Sequence, residues 1–229
     1  MSESKHSVRF PGESESYRAA RNELLEAEIQ LRRNIEAVAA KRRSLPLGGK
    51  VEQDYVFDQT TSANSSQKAR LSDLFAEGKD TLIIYSFMYG PQMAEPCVMC
   101  TSMIDGLNGQ ARHVEQRVNL AVVARSPIAR IMQFARERGW TNVRLLSSSD
   151  CTYNRDYHAE TGDGSQWPAL NVFVRRHAAI HHFYNAELLY APSDAGQNQR
   201  HVDLVWPLWN LFDLTPDGRG GKWYPRLSY

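Results

Sequence analysis

The stretch Thr81-Leu82-Ile83-Ile84-Tyr85-Ser86-Phe87-Met88 is a continuous, mostly apolar run that ends shortly before a pair of cysteines. A run of this length and composition is typical of a central strand that is buried on both faces. The cysteines follow as Cys97-Val98-Met99-Cys100, and residues 101–117 are predicted to form a helix. The sequence therefore predicts a thiol pair between a buried strand and a helix, in an α/β protein.

Strands and helices alternate downstream of this pair. We predict a strand at 118–124, a helix at 128–138 between Pro127 and Gly139, a strand at 143–146, and a hairpin of strands at 171–175 and 180–184. Strands separated by helices pair in parallel through crossovers, whereas a terminal hairpin adds antiparallel strands. The expected architecture is a mixed central sheet flanked by helices in three layers.

The segments around this core are assigned from composition. Residues 51–57 alternate like a strand, residues 60–67 are rich in Ser, Thr and Asn and are predicted to be a loop, and residues 71–75 are predicted to form a short helix. An apolar cluster at 201–213 is predicted to be a terminal helix broken near Pro207. Its Trp206, Trp209 and Phe212 are expected in the core.

A long helix is predicted before the first strand. Residues 14–43 contain neither Gly nor Pro, and their apolar residues recur at steps of three and four. This pattern predicts an amphipathic helix of about 30 residues. We therefore divide the chain into a flexible lead and long helix at 1–50 and a domain at 51–229. The apolar face either packs along its own domain or pairs with a second copy in a homodimer.

Composition excludes several functional classes. The 229 residues are 42% hydrophobic and 23% charged, with a net charge of +1, which argues against a nucleic-acid partner or a membrane surface. No apolar run has the length of a membrane span, and the polar N-terminus lacks the apolar core of a secretory signal. Three cysteines, an odd number, argue against a disulfide-stapled secreted fold, so a cytoplasmic location is expected.

The Cys97-x-x-Cys100 spacing predicts thiol chemistry. A helix N-terminus stabilises a thiolate through its free N–H groups and its dipole, so Cys97 is the candidate nucleophile. Cys100, one helical turn later, can attack the mixed disulfide and release the product. The expected catalytic residues are thus Cys97 and Cys100, acting on a thiol or disulfide substrate without a cofactor.

Two other interpretations of the pair remain open. Zinc would need further ligands, such as Cys151 and one of several histidines, and a second close pair is absent from the sequence. Both thiols could instead be inert in a protein that uses its cleft and long helix to bind partners. Cys151 could join the exchange as a third thiol or be structural.

A second stretch supports the redox interpretation. Trp167-Pro168 directly precedes the predicted strand at 171–175. In thioredoxin-type folds a cis-proline stands before the hairpin, faces the C-x-x-C pair and frees the preceding backbone to bind substrate. Pro168 could be that residue, or a trans proline at a strand entrance. Tyr157 and His158, on a predicted loop nearby, are further candidates for substrate binding, with His158 as a proton carrier.

The chain resembles a family of thioredoxin-like bacterial proteins, a domain of unknown function often labelled predicted dithiol–disulfide oxidoreductases or isomerases. The matching stretches are Leu71-Ser72-Asp73-Leu74-Phe75, Phe87-Met88-Tyr89-Gly90-Pro91, Cys97-Val98-Met99-Cys100-Thr101-Ser102-Met103, Val122-Val123-Ala124-Arg125-Ser126-Pro127, Asn154-Arg155-Asp156-Tyr157 and Trp209-Asn210-Leu211-Phe212-Asp213-Leu214-Thr215-Pro216. The resemblance spans nearly the whole chain and implies a thioredoxin-like fold. The activity that it implies is itself an inference from fold and cysteines.

Three departures from related thiol proteins bear on activity. Val98-Met99 replaces the usual Gly-Pro between the cysteines of thioredoxins. Glu95 lies two residues before Cys97, and its carboxylate is expected to raise the pKa of the thiol. Efficient peroxide reduction of the peroxiredoxin type needs Thr or Ser three residues before the nucleophile, and Ala94 occupies that position.

Overall fold

Seven strands form one mixed sheet in a computed structural model, which describes residues 6–60, 65–220 and 223–228. The order across the sheet is β2-β1-β5-β4-β3-β6-β7. The strands are β1 (Val56–Thr60), β2 (Ser66–Arg70), β3 (Thr81–Ser86), β4 (Asn119–Ala124), β5 (Arg144–Ser147), β6 (Ala169–Arg176) and β7 (Ala179–Asn185). The helices are α1 (Glu15–Arg43), α2 (Val98–Val114), α3 (Ile128–Arg138), α4 (Tyr153–Asp156) and α5 (Pro207–Phe212). The predicted thioredoxin-like α/β architecture is confirmed.

The pairing pattern places the ends of three strands together. β3, β4 and β5 are parallel neighbours, while β6 pairs antiparallel with β3 and is followed by β7 in a hairpin. The carboxyl ends of β3, β4 and β5 therefore share one edge of the sheet. Ligands of open α/β sheets bind beyond that edge, so it is the expected place for a site.

Both faces of the sheet are buried. Along β3, Tyr85 belongs to the first of two core clusters, whereas Leu82 and Ile84 belong to the second, as alternation along a strand requires. The first cluster contains the buried residues of α2 and α3 together with Trp206 and Trp209, whose predicted burial is confirmed. The second cluster is formed largely by residues of β1, β4 and β6 and by the segments at 69–75 and 146–157.

The long helix is confirmed with bounds close to the prediction. The Ser14 hydroxyl accepts a hydrogen bond from the Tyr17 N–H and caps the helix, and Lys41, Arg42 and Arg43 lie in its last turn, where they complement the helix dipole. Leu24 and other apolar residues of α1 are exposed. The chain divides into two compact units, Met1–Pro46 and Leu47–Tyr229. Pairing of α1 with a second copy stays a prediction.

Four local predictions were wrong. The strand predicted at 51–57 is β1 at 56–60, so only Val56 and Phe57 lie in both ranges. Part of the predicted loop at 60–67 is strand β2, whose side chains are exposed except for Ala69, so an edge strand shows little apolar signal; residues 61–64 lie outside the described ranges. The predicted loop at 154–158, which contains Tyr157 and His158, begins inside the short helix α4, which ends at Asp156. Helix α2 begins at Val98 rather than at residue 101, because the Cys97 side chain caps it.

Candidate active site

Cys97 is the N-cap of α2. Its sulfur accepts a hydrogen bond from the Cys100 N–H at 3.4 Å, in the way that a Ser or Asp oxygen usually caps a helix. Its own N–H donates to the Met88 carbonyl at 3.0 Å, and the Thr101 hydroxyl donates to the Cys97 carbonyl at 2.9 Å. The thiol is therefore held half-buried at the carboxyl end of β3.

The electrostatics of this position favour a thiolate at Cys97. The Cys100 thiol donates a hydrogen bond to the Cys97 sulfur, and the backbone N–H groups of Cys100 and Met99 add to it. Together they outweigh the cost of burial and lower the pKa of Cys97 to about 6. The expected increase from Glu95 is wrong, because hydrogen bonds set the pKa at this site.

Cys100 has the opposite environment. Burial, followed by the hydrogen bond to Cys97 and the charge of the Cys97 thiolate, raises the pKa of Cys100 well above the usual value. The Tyr85 hydroxyl, fully buried in the first core cluster, donates to the Cys100 sulfur and partly offsets this increase. One thiol of the pair is therefore ionised near neutral pH and the other is protonated.

The loop between β3 and Cys97 is fastened by Arg130 from the first turn of α3. Its guanidinium donates to the carbonyls of Ala94 at 2.8 Å and of Pro91 at 3.3 Å, and also to that of Met93. It lies 4.4 Å from the centre of the Tyr89 ring. These contacts hold the loop that leads into Cys97 against the start of α3.

Sequence analysis missed Arg130. Its contacts cross 36 to 40 positions of the chain, and they exist because β3 and β4 are neighbours in the sheet. Pro127, at the entrance of α3, is the only local signal, since it fixes where the first turn begins. No residue spacing connects that turn to the loop at 90–94.

The segment before β6 lies beside the same loop. The first residue of β6, Ala169, pairs with Ser86 at the end of β3. A Cβ atom placed on Gly90 would lie 3.0 Å from the Gln166 side chain, so the two loops are in close contact. The described peptide bonds are all trans, so the interpretation of Pro168 as a cis-proline is wrong. Trp167-Pro168 nonetheless lies at the sheet edge where the thiol loop begins.

Two of the predicted substrate residues line one cavity. Trp167 and His158 border a cavity of about 640 Å³, together with Tyr190, which sequence analysis missed. Pro168 directly follows Trp167. Tyr157 lies elsewhere: its ring packs 5.0 Å from that of Phe173 in the second core cluster, and burial raises its pKa to about 12. The structure therefore brings together Trp167 and His158 but not Tyr157.

Cys151 is separated from the pair by the sheet. It packs against the second core cluster, whereas Cys97 packs against the first and Cys100 belongs to it. Burial raises the pKa of the Cys151 thiol. This environment agrees with a structural thiol.

The zinc interpretation lacks a ligand set in the described ranges. Within 6–60, 65–220 and 223–228, no group of three or more His, Cys, Asp or Glu side chains could hold a metal ion.

None of the helices in these ranges is long and apolar enough to cross a membrane.

Comparisons with known proteins place the chain in a family. It is similar to solved structures of a Plasmodium yoelii thioredoxin peroxidase I (14% identity, TM-score 0.46, covering 79% of this chain and 97% of the other) and of an Enterococcus faecalis AhpC (14%, 0.47, 78% and 98%). A reduced 2-Cys peroxiredoxin of Plasmodium vivax is also similar (15%, 0.48, 71% and 79%). No curated protein sequence matches the chain. Residues 7–229 match the sequence profile described as "Bacterial protein of unknown function (DUF899)", and the chain belongs to that family.

Proposed function

We propose that this protein is a thiol–disulfide oxidoreductase in which Cys97 attacks the substrate and Cys100 resolves the intermediate. The observation that carries the proposal is the split between the two thiols: the pKa of Cys97 is lowered to about 6, and that of Cys100 is raised. Thiol–disulfide exchange needs an available thiolate and a second thiol that waits within reach.

The first step is nucleophilic attack by the Cys97 thiolate on a substrate disulfide. A bond forms between the Cys97 sulfur and one substrate sulfur, and the other substrate sulfur leaves as a thiolate that takes up a proton. The N–H groups at the start of α2 stabilise the thiolate before attack. When the steps run in reverse, the low pKa makes Cys97 a good leaving group from the mixed disulfide.

The second step uses Cys100. Part of the increase in its pKa comes from the charge of the Cys97 thiolate, and the mixed disulfide removes that charge. The Tyr85 hydroxyl then donates to a developing Cys100 thiolate, which attacks the Cys97 sulfur and releases the substrate thiol. The pair ends as a disulfide, oxidised by two electrons, and the substrate is reduced by two. An external thiol returns the pair to the dithiol, and with a more oxidising pair the same steps run in reverse.

Exchange between two cysteines three residues apart is geometrically feasible. Side chains three positions apart on a helix have Cβ atoms about 5–6 Å apart, and a disulfide needs about 3.5–4.5 Å. A small rotation of the first turn of α2 therefore closes the bond. Cys97 lies outside the helix as its N-cap and is free to make that rotation.

Peroxide reduction is less well supported. Ala94 lacks the hydroxyl that would bind a peroxide, and the guanidinium of Arg130 is occupied by carbonyls of the loop and by the Tyr89 ring.

We propose that the surface around Trp167, Pro168 and His158 contacts the disulfide substrate, because it adjoins the thiol loop through Gln166.

The test is a redox titration of the Cys97/Cys100 pair in glutathione buffers, read by the mass shift after alkylation. We expect a reversible disulfide between the two residues with a definable potential, and in Cys100→Ser only a mixed disulfide of Cys97 with glutathione. Two thiols that never pair across the whole range of buffers would overturn the proposal and favour a binding protein with inert thiols.

A further inference from the structure

A second cavity is lined by one residue of the Cys97–Cys100 motif. It measures about 440 Å³ and is lined by Met99, the second residue of the spacer between the two cysteines. Trp209 of α5 and Trp223 of the C-terminal segment also line it, with their rings in edge contact at 5.8 Å. Residues of the C-terminal segment and Met99 of the motif thus line the same cavity.

The cavity is within reach of any substrate that extends beyond its disulfide. Met99 follows Cys97 by two residues, so their Cα atoms are at most about 7 Å apart. A disulfide held at Cys97 that belongs to a polypeptide has its own neighbouring residues at the same distance from the reacting sulfur. A small disulfide has no atoms to place there.

The charged side chains that line the cavity are Arg200, Arg219 and Asp213, and the two arginines also contact Asp203, which is not a lining residue. Arg219 contacts Asp213 at 2.6 Å and Asp203 at 2.9 Å, while Arg200 contacts the same two carboxylates at 3.3 Å and 2.6 Å. Hydrogen bonds from Arg219 lower the pKa of Asp213, which keeps that carboxylate charged at neutral pH. Two cations and two anions leave no net charge to attract an ionic ligand.

The rest of the lining suits a neutral ligand with amide groups. Gln197 and Tyr224 line the cavity with exposed side chains, and within the described part of the chain neither side chain has a hydrogen-bond partner. A carboxamide both donates and accepts, as a peptide group does. The indole of Trp223, 44% exposed, offers an apolar face beside them. Exposed aromatic rings and adaptable amides are the composition that binds polypeptide surfaces.

We infer that this cavity binds the polypeptide segment flanking the disulfide of a protein substrate, which makes the physiological substrate a protein rather than a small disulfide. The inference rests on the proposed thiol–disulfide exchange at Cys97. Trp223 and Gln197 are its specificity residues, and they act through the chain around the substrate cysteine rather than through the sulfur.

The test compares two probes with one leaving group. The first is hydroxyethyl disulfide, and the second is a neutral capped pentapeptide whose central cysteine carries a mercaptoethanol disulfide. In the full-length Cys100→Ser protein, the rate of mixed-disulfide formation at Cys97 is followed for each probe by mass spectrometry. We expect the peptide probe to react faster than hydroxyethyl disulfide.

Variants at the cavity then distinguish peptide binding in the cavity from the reactivity of the Cys97 thiol. Trp223→Ala should lower the ratio of the peptide rate to the hydroxyethyl disulfide rate by about tenfold, and Trp223→Phe should retain most of it. Because Trp223 also contacts Trp209 and Phe212, the exposed Gln197→Ala is tested too, with an expected decrease in that ratio of about threefold.

The outcomes distinguish the two proposals. If hydroxyethyl disulfide reacts at Cys97 but the ratio is the same in the parent and in both Ala variants, the cavity does not bind substrate and the inference fails alone. If neither probe reacts at Cys97, the proposed exchange fails and the inference fails with it.

Discussion

Cys97 and Cys151 occupy comparable places in the fold but have opposite thiol chemistry. Each follows a strand of the parallel set, β3 for Cys97 and β5 for Cys151, and each is half-buried. The pKa of Cys97 is lowered, whereas that of Cys151 is raised. A place at the carboxyl edge of the sheet is therefore not enough to activate a thiol.

The difference lies in the number of hydrogen-bond donors that meet each sulfur. The Cys97 sulfur accepts hydrogen bonds from the Cys100 thiol and from two backbone N–H groups at the start of a 17-residue helix. The Cys151 sulfur accepts one hydrogen bond, from the Tyr153 N–H beside a four-residue helix. The charge of Arg125 also lowers the pKa of this thiol, but by less. One donor does not balance the cost of burial, and three donors exceed it.

The largest expected effect separates the two thiols by mutation. Cys97→Ser should reduce exchange with glutathione disulfide to the level of the uncatalysed reaction, because Ser cannot form the mixed disulfide. Cys151→Ser should leave the rate within about twofold, since its thiol packs against the other core cluster. The measurement is the rate of glutathione disulfide reduction in a coupled assay. A matching loss of rate in Cys151→Ser would break the comparison.

The pH dependence of alkylation tests the lowered pKa of Cys97 directly. At pH 5.5 a thiol of pKa about 6 is about one-quarter ionised, and an unperturbed thiol of pKa about 8.5 about 0.1%. The weaker nucleophilicity of the more acidic thiolate offsets about tenfold of this difference. Cys97 should therefore react with iodoacetamide about 20-fold faster than a free cysteine at pH 5.5, with a plateau above pH 7. A midpoint near 8.5 for Cys97 would contradict the proposed hydrogen bonds.

The redox potential should record the same ionisation. The lowered pKa of Cys97 belongs to the reduced protein, so above pH 6 reduction of the disulfide takes up one proton, and below it two. The potential of the pair should fall by about 59 mV per pH unit below pH 6 and by about 30 mV per unit above it. Titrations in glutathione buffers between pH 5 and 8 check this. A slope of 59 mV throughout would mean that Cys97 stays protonated in the reduced state.

Much of the fold could be predicted because its central strands carry an unambiguous pattern. β3 and β4 are apolar enough to be read from composition, and Ser14 and Gly139 mark helix ends that match the structure. β2 could not be found, because an edge strand with exposed polar side chains resembles a loop. A cysteine is also an uncommon N-cap, so the start of α2 was placed three residues late.

Only part of the candidate site could be predicted from the sequence. Cys97 and Cys100 lie together in the chain, and their spacing suffices to pair them. Tyr85, which contacts Cys100, comes from β3, and Arg130, which contacts the loop before Cys97, comes from the helix after β4. The contacts of Arg130 depend on the order of the sheet. Sequence patterns report periodicity along the chain, and they do not report which elements become neighbours.

The last prediction concerns two arginines that hold the two thiol loops. Arg130 donates to carbonyls of the loop before Cys97, and Arg125, five residues earlier, donates to the Ser149 carbonyl at 2.8 Å in the loop before Cys151. Arg130→Met should leave those carbonyls unpaired and loosen the cap geometry. We expect the pKa of Cys97 to rise by about half a unit, measured by the pH profile of alkylation.

Matched variants show whether this effect is specific to the loop. Arg136→Met, on the exposed side of the same helix, should leave the pKa of Cys97 unchanged, and so should Arg125→Met, whose contacts lie at the other thiol. Arg130→Lys keeps the charge but can reach fewer carbonyls, so it should fall between the parent and Arg130→Met. If Arg130→Met lowers the melting temperature but leaves the pKa of Cys97 where it was, the arginine holds the loop without tuning the thiol. The contrast between Cys97 and Cys151 would then rest on the start of α2 alone.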